Sequence, residues 1–183
     1  MCIRDRIGRV DLTKRTPYPF KYLFFPPRQK LLVYRNSDVE VPPLDERERI
    51  VLGLRNCDLK AINALDLVFL EEPEDPYYKH ARERTKLISV DCLKPEESCF
   101  CTSMGYKTYV EDGYTINLTP LQDGYVLHEG EGCKEIMELL GDLLIEEREE
   151  MRDEVRRVRE EGMKYMERLP DMREEIFKNA SVK

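Results

Sequence analysis

Two apolar runs with the pattern of buried strands stand out along the chain. RIVLGL begins at Arg49 and TKLISVD begins at Thr85, and each is almost continuously apolar, as strands covered on both faces are. Asp58 fits a helix N-cap between them. Five apolar residues at helical spacing follow it: Leu59, Ile62, Leu65, Leu67 and Phe69. The order strand, helix, strand predicts a βαβ unit whose two strands run parallel.

Weaker strand patterns flank this unit. KYLFFPPRQKLLVYR has apolar runs on either side of Pro26 and Pro27, which predicts two short strands or edge segments joined by a turn. EEPEDPYY is predicted to be a loop. YTINLTPLQDGYVLHEG alternates apolar and polar residues around Asp123 and Gly124, and this pattern predicts a β-hairpin.

After Gly132 the pattern becomes helical and highly charged. One apolar helix face is formed by Ile136, Leu139, Leu140, Leu143 and Leu144. A thinner apolar stripe continues at the same helical spacing with Met151, Val155 and Val158. Asp153 and Arg157, four apart, form a favourable helical pair. We interpret the stretch as a solvated helix that ends at Pro170, with one more short helix in DMREEIFKN. The alternative is a linker helix that positions a further module or contacts a partner subunit.

These elements predict one α/β domain with a small mixed sheet, a βαβ unit and a hairpin, followed by a charged helical tail. The domain is expected to cover residues 7–132 and the tail residues 133–183. Residues 1–6, MCIRDR, share no pattern with the rest of the chain and are interpreted as a non-native leader, so Cys2 is excluded from the candidate site.

Composition and charge narrow the function classes. The chain has 183 residues, 37% of them charged, and a net charge of -7, and its basic residues are scattered among acids, which argues against nucleic acid as a partner. No apolar run reaches the roughly 18 to 20 residues of a membrane span, and no signal peptide is evident, so a cytoplasmic protein is predicted. Phosphate-binding, nucleophile-elbow and HExxH motifs are absent from the sequence.

Four of the six cysteines define the candidate site. Cys57 comes three residues after the first predicted strand, and Cys92 directly follows the second. The carboxyl ends of neighbouring parallel strands lie at the sheet edge where such folds build their sites. Cys99 and Cys101 are close enough in sequence to loop back to the same edge. The sequence therefore predicts four thiolates around one point, and in a reducing compartment such a cluster is metal-binding or catalytic more often than disulfide-bonded.

The spacing of the four cysteines leaves the type of site open. C-x34-C-x6-C-x-C matches neither a zinc ribbon nor a bacterial ferredoxin run. An extended Cys99-Phe100-Cys101 separates the outer Cα atoms by about 6.5 Å, whereas a single zinc holds its sulfurs about 3.8 Å apart. An iron–sulfur cluster therefore fits somewhat better than zinc, and buried structural cysteines are the alternative to any metal.

Other residues are weaker candidates. His80 and His128 could each ligate a metal, but His80 is expected to be exposed in a charged loop and His128 to be part of the hairpin scaffold. Cys133 opens a helix and is interpreted as an ordinary thiol. Arg55 flanks Cys57 and is expected either to stabilise a negatively charged cluster or to pair with a surface acid.

Several motifs, in this order, resemble one family: PFKYLFFPP, GLRNCDLKAINALDLVFL, the DPYY of residues 75–78, and VDCLKPEESCFCTSMG. They are similar to the amino-terminal portion of the sulfhydrogenase beta subunit and of its counterpart in anaerobic sulfite reductase, over about Pro17 to Gly132. The resemblance implies a non-catalytic electron-transfer subunit of a soluble multi-subunit oxidoreductase. Its expected partners are a flavin- or NAD(P)-binding subunit and a catalytic hydrogenase or reductase subunit. The resemblance places the four cysteines of the candidate site in the family's cysteine motifs.

The chain departs from that family in one respect. Family members continue into a ferredoxin-like module with two CxxCxxCxxxCP runs, and this sequence contains no such run, so we interpret it as a fragment. Three functions are therefore considered. The first is an electron-transfer subunit with a 4Fe-4S cluster on Cys57, Cys92, Cys99 and Cys101. The second is a structural zinc-binding or docking domain of the same complex. The third is a thiol–disulfide redox domain in which Cys99 and Cys101, or Cys57 and Cys92, cycle.

Overall fold

The computed structural model describes residues 11–12, 14–15, 18–96 and 98–167. Two sheets are present in this part of the chain. The strands of the small antiparallel ribbon are β1 (Val33–Arg35) and β2 (Asp38–Glu40). The strands of the larger sheet, in spatial order, are β3 (Arg49–Leu54), β4 (Thr85–Val90), β5 (Ile116–Leu121) and β6 (Gly124–Glu129). The α-helices are α1 (Asn56–Phe69), α2 (Pro76–Glu83), α3 (Lys134–Leu140) and α4 (Glu149–Met166).

The predicted α/β fold with a small mixed sheet is confirmed. β3 and β4 pair in parallel, with α1 and α2 in the connection between them. β5 adds in parallel to β4, and β6 forms an antiparallel hairpin with β5. Leu59 and Ile62 of α1 are fully buried against the sheet. The prediction that Leu67 belongs to this face is wrong, because at about 100° per residue it points away from Ile62 and Phe69, and it is 68% exposed.

The start of α1 differs from the prediction. Arg55, not Asp58, is the N-cap residue, and Asp58 lies within the first turn of the helix. The Asp58 carboxylate accepts a hydrogen bond from the backbone N–H of Arg55 at 2.9 Å, as the third helical residue of a capping box does. The helix therefore begins at Asn56, which places Cys57 in its first turn, next to the carboxyl end of β3.

The predicted loop EEPEDPYY contains the start of α2. Asp75 caps this helix, since its Oδ1 accepts hydrogen bonds from the N–H groups of Tyr77 and Tyr78 at 2.9 and 2.8 Å, and Pro76 takes the first helical position. Tyr78 is buried and donates its hydroxyl to Asp66 Oδ1 at 2.6 Å. The loop prediction is wrong because the helix packs on the core through only Tyr78 and Ala81, too few apolar residues to give a helical pattern in the sequence.

The amino-terminal strands are also arranged differently from the prediction. The run before the two prolines forms a 3-10 helix, Phe20–Leu23, and Phe20 and Phe24 are buried in the core next to α1. Strand pairing occurs only after the prolines, between β1 and β2. Asn36 makes the tight turn between them with a φ of 57°, a left-handed conformation that asparagine tolerates.

The charged carboxyl-terminal region forms two separate helices, α3 and α4, and its apolar residues do not form one continuous face. After α3 a short 3-10 turn at Gly141–Leu143 and an extended segment interrupt the pattern, leaving Leu139 and Leu143 about four-fifths exposed, at 80% and 79%. Asp153 pairs with Arg156 at 3.4 Å instead of with Arg157. Pro170, the predicted helix after it and the MCIRDR leader lie outside the described residues.

α4 packs on the larger sheet. Val155, Gly162 and Met166 are buried, and most of the charged residues of the helix are exposed to solvent. No helix in the described part of the chain combines the length and the apolar character needed to cross a membrane.

Candidate functional site

The four predicted site cysteines lie at the carboxyl ends of β3 and β4. Cys57 lies in the first turn of α1, Cys92 follows β4, and Cys99 and Cys101 lie in the loop that leads to a 3-10 helix at Thr102–Met104. All four are half-buried free thiols. The parallel pairing of β3 with β4 brings residues 35 positions apart in sequence to the same edge of the sheet, as the βαβ pattern predicts.

The thiols are close enough to influence one another's ionisation. A negative charge on Cys92 or Cys101 raises the pKa of Cys57, and charges on Cys99 and Cys101 raise the pKa of Cys92. Cys99 has the same effect on the pKa of Cys101. The structure therefore gathers all four thiols in one electrostatic neighbourhood.

Arg15 connects two of these thiols directly. Its guanidinium donates through one Nη to Cys57 Sγ at 3.6 Å and through the other to Cys99 Sγ at 3.7 Å. The backbone N–H of Glu96 also donates to Cys99 Sγ at 3.2 Å. Arg15 is not among the candidates found in the sequence, because it precedes Cys57 by 42 residues and no motif connects the two.

A cavity of about 400 Å³ opens beside the thiols. Cys57, Cys99 and Cys101 line it together with Arg15, whereas Cys92 is not part of the lining. The remainder of the wall is largely apolar and includes Ala61, Ala64, Phe100, Met104 and Tyr106. Asp58, Lys60 and Ser98 complete the lining, so the site combines sulfur donors, two cations and one acid with mostly apolar walls.

Burial keeps three of the thiols protonated. The pKa of Cys57 is raised to about 11, first by burial and then by the charge of Asp58, and Arg15 opposes the shift. Burial is also the largest cause of the raised pKa values of Cys92 and Cys101. Sulfur binds metals as thiolate, so a metal centre bound here must displace these protons.

The raised pKa of Cys57 leads to a reactivity prediction. In metal-free, reduced protein at pH 8, iodoacetamide should alkylate Cys57 about a hundredfold more slowly than in urea-unfolded protein, because the pKa of about 11 leaves little thiolate. Peptide mapping by mass spectrometry over a time course measures the rate at each cysteine. Native and unfolded rates within tenfold of each other would contradict the raised pKa.

Other candidate ligands are held by structural contacts. Within the described residues, the four site cysteines included, no group of three or more His, Cys, Asp and Glu side chains is placed to hold a metal ion, so metal binding would require the thiols to move closer together. His80 was expected to be exposed, but it lies in α2 with its side chain 15% exposed and its Nε2 3.2 Å from the carbonyl oxygen of Asp45. Cys133 is buried at the start of α3 and its Sγ lies 3.8 Å from Glu129 Oε2.

Arg55 connects the start of α1 to the end of β4. Its side chain is buried and donates to the carbonyl oxygens of Val90 and Asp91 at 3.3 and 3.1 Å, so the expected pairing with a surface acid is wrong. Its Nε has no hydrogen-bond partner among the described residues. Burial raises the pKa of Cys92, and the positive charge of Arg55 partly opposes this shift. Arg55 therefore fixes the strand ends that carry Cys57 and Cys92 and supplies positive charge beside them.

Asp91, the residue before Cys92, is the centre of a buried polar network. Its side chain is fully buried and accepts hydrogen bonds from Val110 N–H, Asn117 Nδ2 and Thr119 Oγ1 at 3.1, 3.0 and 2.6 Å. Arg159 of α4 donates to its Oδ2 at 2.7 Å. The only sequence signals for this network are an acid at the end of an apolar run and polar residues at alternate positions of β5.

His128 belongs to the same network. Its Nε2 lies 2.9 Å from Thr119 Oγ1 and 3.2 Å from a guanidinium nitrogen of Arg159. Burial and the positive charge of Arg159 lower its pKa, and Asp91 and Glu147 oppose the shift. The expectation that His128 is part of the hairpin scaffold agrees with these contacts.

The lowered pKa of His128 predicts a pH dependence of stability. Below its ordinary pKa of about 6.5 the unfolded chain takes up the proton first, so folding stability should fall as the pH drops from about 6.5 towards the folded value. His128→Gln should make that decline shallower. Urea unfolding followed by circular dichroism at pH 7.5 and 5.5 gives the two free energies; an identical decline in the variant would contradict the assignment.

The fold and site together define an α/β domain with thiols collected at the carboxyl ends of two parallel strands. Over 172 residues the chain is 31% identical to Sulfhydrogenase 2 subunit beta of Pyrococcus furiosus. This finding confirms the resemblance to sulfhydrogenase beta subunits, and the chain is a homologue of that subunit. The alignment covers 93% of this chain, which spans about half of the relative (47%). No protein-family model and no solved structure matches the chain.

Proposed function

We propose that this chain is part of an electron-transfer subunit of a hydrogenase or sulfur- or sulfite-reductase complex, and that Cys57, Cys92, Cys99 and Cys101 hold an iron–sulfur cluster. The observation that carries the proposal is the convergence of the four thiols at one sheet edge, where Arg15 donates to two of the sulfurs. Similarity to a sulfhydrogenase beta subunit supports the choice of complex.

The donor set fits such a group by its chemistry, and the thiols would have to move closer together to hold it. Thiolates are the usual ligands of iron–sulfur clusters, and a cluster with four of them is an anion in a partly buried place. Arg15 and Arg55 supply positive charge on two sides of the thiols, and the cavity of about 400 Å³ leaves room beside them. These features would stabilise a bound anion, and the metal itself would displace the protons of the thiols.

Each residue of the site then has a defined task. The four cysteines would bind the metal centre and release their protons as they do so, Arg15 would orient Cys57 and Cys99, and Arg55 would hold the two strand ends together. Phe100 and Met104 would limit the access of water from the cavity side. When bound, a cluster of this kind accepts and releases single electrons. Partner subunits, among them a flavin- or NAD(P)-binding one, would supply the donor, the acceptor and the bond-breaking chemistry.

Zinc is the alternative occupant of the same thiols and would make the domain a structural or docking unit of the complex. The thiol–disulfide function has less support. Its reacting cysteine needs a lowered pKa, whereas burial raises the pKa of Cys57, Cys92 and Cys101.

Metal analysis of the anaerobically purified chain tests the proposal. Iron, zinc and acid-labile sulfide are quantified together with a visible spectrum. About four irons and four sulfides per chain with absorbance near 400 nm are expected for a 4Fe-4S cluster. About one zinc per chain without sulfide would show a structural zinc site and not a cluster. If the protein holds neither iron nor zinc after reconstitution with iron and sulfide, both the cluster proposal and the zinc alternative are refuted.

A further inference from the structure

At Gly162, α4 lies close to Thr108 and to the start of the loop that carries Cys92, Cys99 and Cys101, called here the cysteine loop. A Cβ added there would lie 3.1 Å from Thr108 Oγ1 and 3.4 Å from the carbonyl oxygen of Cys92, and 3.7 Å from the Cα of Leu93. Glycine is unfavourable in a helix interior, and Gly162 lies well inside α4, before its end at Met166. The tight contact with the Thr108 hydroxyl, with the Cys92 carbonyl oxygen next to it, gives a physical reason for glycine at this position.

Thr108 joins the helix to Cys92 by a second route. The N–H of Cys92 donates to the carbonyl oxygen of Thr108 at 2.9 Å, and the N–H of Thr108 donates to Met163 Sδ at 3.4 Å. Met163 is the residue after Gly162, so both backbone groups of Thr108 lie between α4 and the cysteine loop.

Arg159 makes the third contact, with the residue before Cys92. Its Nε donates to Asp91 Oδ2 at 2.7 Å, and its guanidinium lies 4.8 Å from the ring centre of Tyr109. Arg159, Gly162 and Met163 have the i, i+3, i+4 spacing of a single helix face. One face of α4 therefore contacts Asp91, the residue before Cys92, and Thr108, the backbone partner of Cys92, and leaves no room for a larger residue beside the Cys92 carbonyl.

We propose that α4 holds Cys92 in position for the cysteine site, which makes Arg159 and Gly162 positioning residues of that site. This inference rests on the proposed function in one respect, the description of the site as a metal centre. The contacts between α4 and the residues around Cys92 are present in the protein without metal. It extends the site to residues 149–166, a highly charged region that composition alone marks as a solvated helix. Displacement of α4 would be transmitted to Cys92.

Gly162→Val is the variant that tests this arrangement most directly. The branched side chain would occupy the space taken by Thr108 Oγ1 and the Cys92 carbonyl oxygen, so the helix and the loop must separate. Glu161→Val is the matched control, because it introduces the same residue one position earlier at an exposed site of α4. Gly162→Ala and Met163→Leu are milder changes at the same contact and keep the test valid if Gly162→Val does not fold.

The first readout needs no metal. In reduced, metal-free protein, hydrogen exchange of the peptide containing Cys92 and alkylation of its thiol are measured. Gly162→Val should accelerate both about tenfold over the Glu161→Val control, with smaller increases for Gly162→Ala and Met163→Leu. The proposal is overturned if α4 stays helical and Cys92 exchanges and reacts in every contact variant as it does in the control.

The second readout uses the reconstituted protein and separates the two proposals. If wild-type protein binds iron and sulfide, Gly162→Val should release iron to a chelator about tenfold faster than Glu161→Val and shift the reduction potential. If wild-type protein binds no metal, the proposed function fails, while hydrogen exchange at Cys92 still decides whether α4 positions it. Equal iron release in both variants would contradict a role of Gly162 in positioning a ligand.

Discussion

Replacing Cys57 by serine is expected to lower the iron content of the anaerobically reconstituted chain from about four per chain to below about one. A serine hydroxyl is a poor substitute for a thiolate ligand, and Cys57 shares Arg15 with Cys99 and the cavity with Cys99 and Cys101. Iron, sulfide and the absorbance near 400 nm are measured after identical reconstitution. Cys92→Ser, Cys99→Ser and Cys101→Ser should each reduce the iron content as well.

Cys133→Ser is the matched control for this series. Cys133 is more deeply buried than the four site cysteines, but its contact is with Glu129 and it does not line the cavity beside Cys57. The variant should keep the full iron content, so a loss specific to the other four would identify them as ligands. Full iron in Cys57→Ser would show that the four-cysteine assignment is wrong.

The parts of the site that follow from local pattern could be predicted from the sequence. The continuous apolar runs of β3 and β4, with a helix between them, predict that the two strands pair in parallel. This pairing brings Cys57 and Cys92 to one edge of the sheet. The hairpin of β5 and β6 follows in the same way from alternation around a tight turn. In each of these cases the residues that determine the structure are near one another in sequence.

The contacts that complete the site are long-range and could not be predicted in this way. Arg15 reaches Cys99 across 84 positions, and Arg159 reaches Asp91 across 68. Neither arginine has a neighbour in sequence that distinguishes it from the other 28 basic residues of the chain, which has 30 lysines and arginines in total. The contact of α4 with the site could not be predicted from the sequence either. Most residues of α4 are charged, which predicts a solvated helix, but the helix still buries one narrow face that contains Gly162.

Arg159→Met should lower the free energy of unfolding by about 3 kcal/mol, the low end of the range for breaking a buried ion pair. The Asp91 side chain is fully buried, and the substitution removes the cation that faces it, leaving three neutral donors. Arg156→Met is the control, since Arg156 is exposed and its pair with Asp153 lies in solvent; a change within about 0.5 kcal/mol is expected there. Urea unfolding of the wild-type chain and both variants at pH 7.5 gives the free energies.

The double variant Asp91→Asn/Arg159→Met distinguishes an unpaired charge from lost packing. Asparagine keeps an oxygen that can accept from Val110 N–H and Asn117 but carries no charge, so the double variant should regain most of the stability lost in Arg159→Met. If it regains none, the loss reflects the packing of the Arg159 side chain against Tyr109. Recovery would instead show that the charge of Asp91 makes the docking of α4 obligatory, since that carboxylate directly precedes Cys92 and has its cationic partner on the helix.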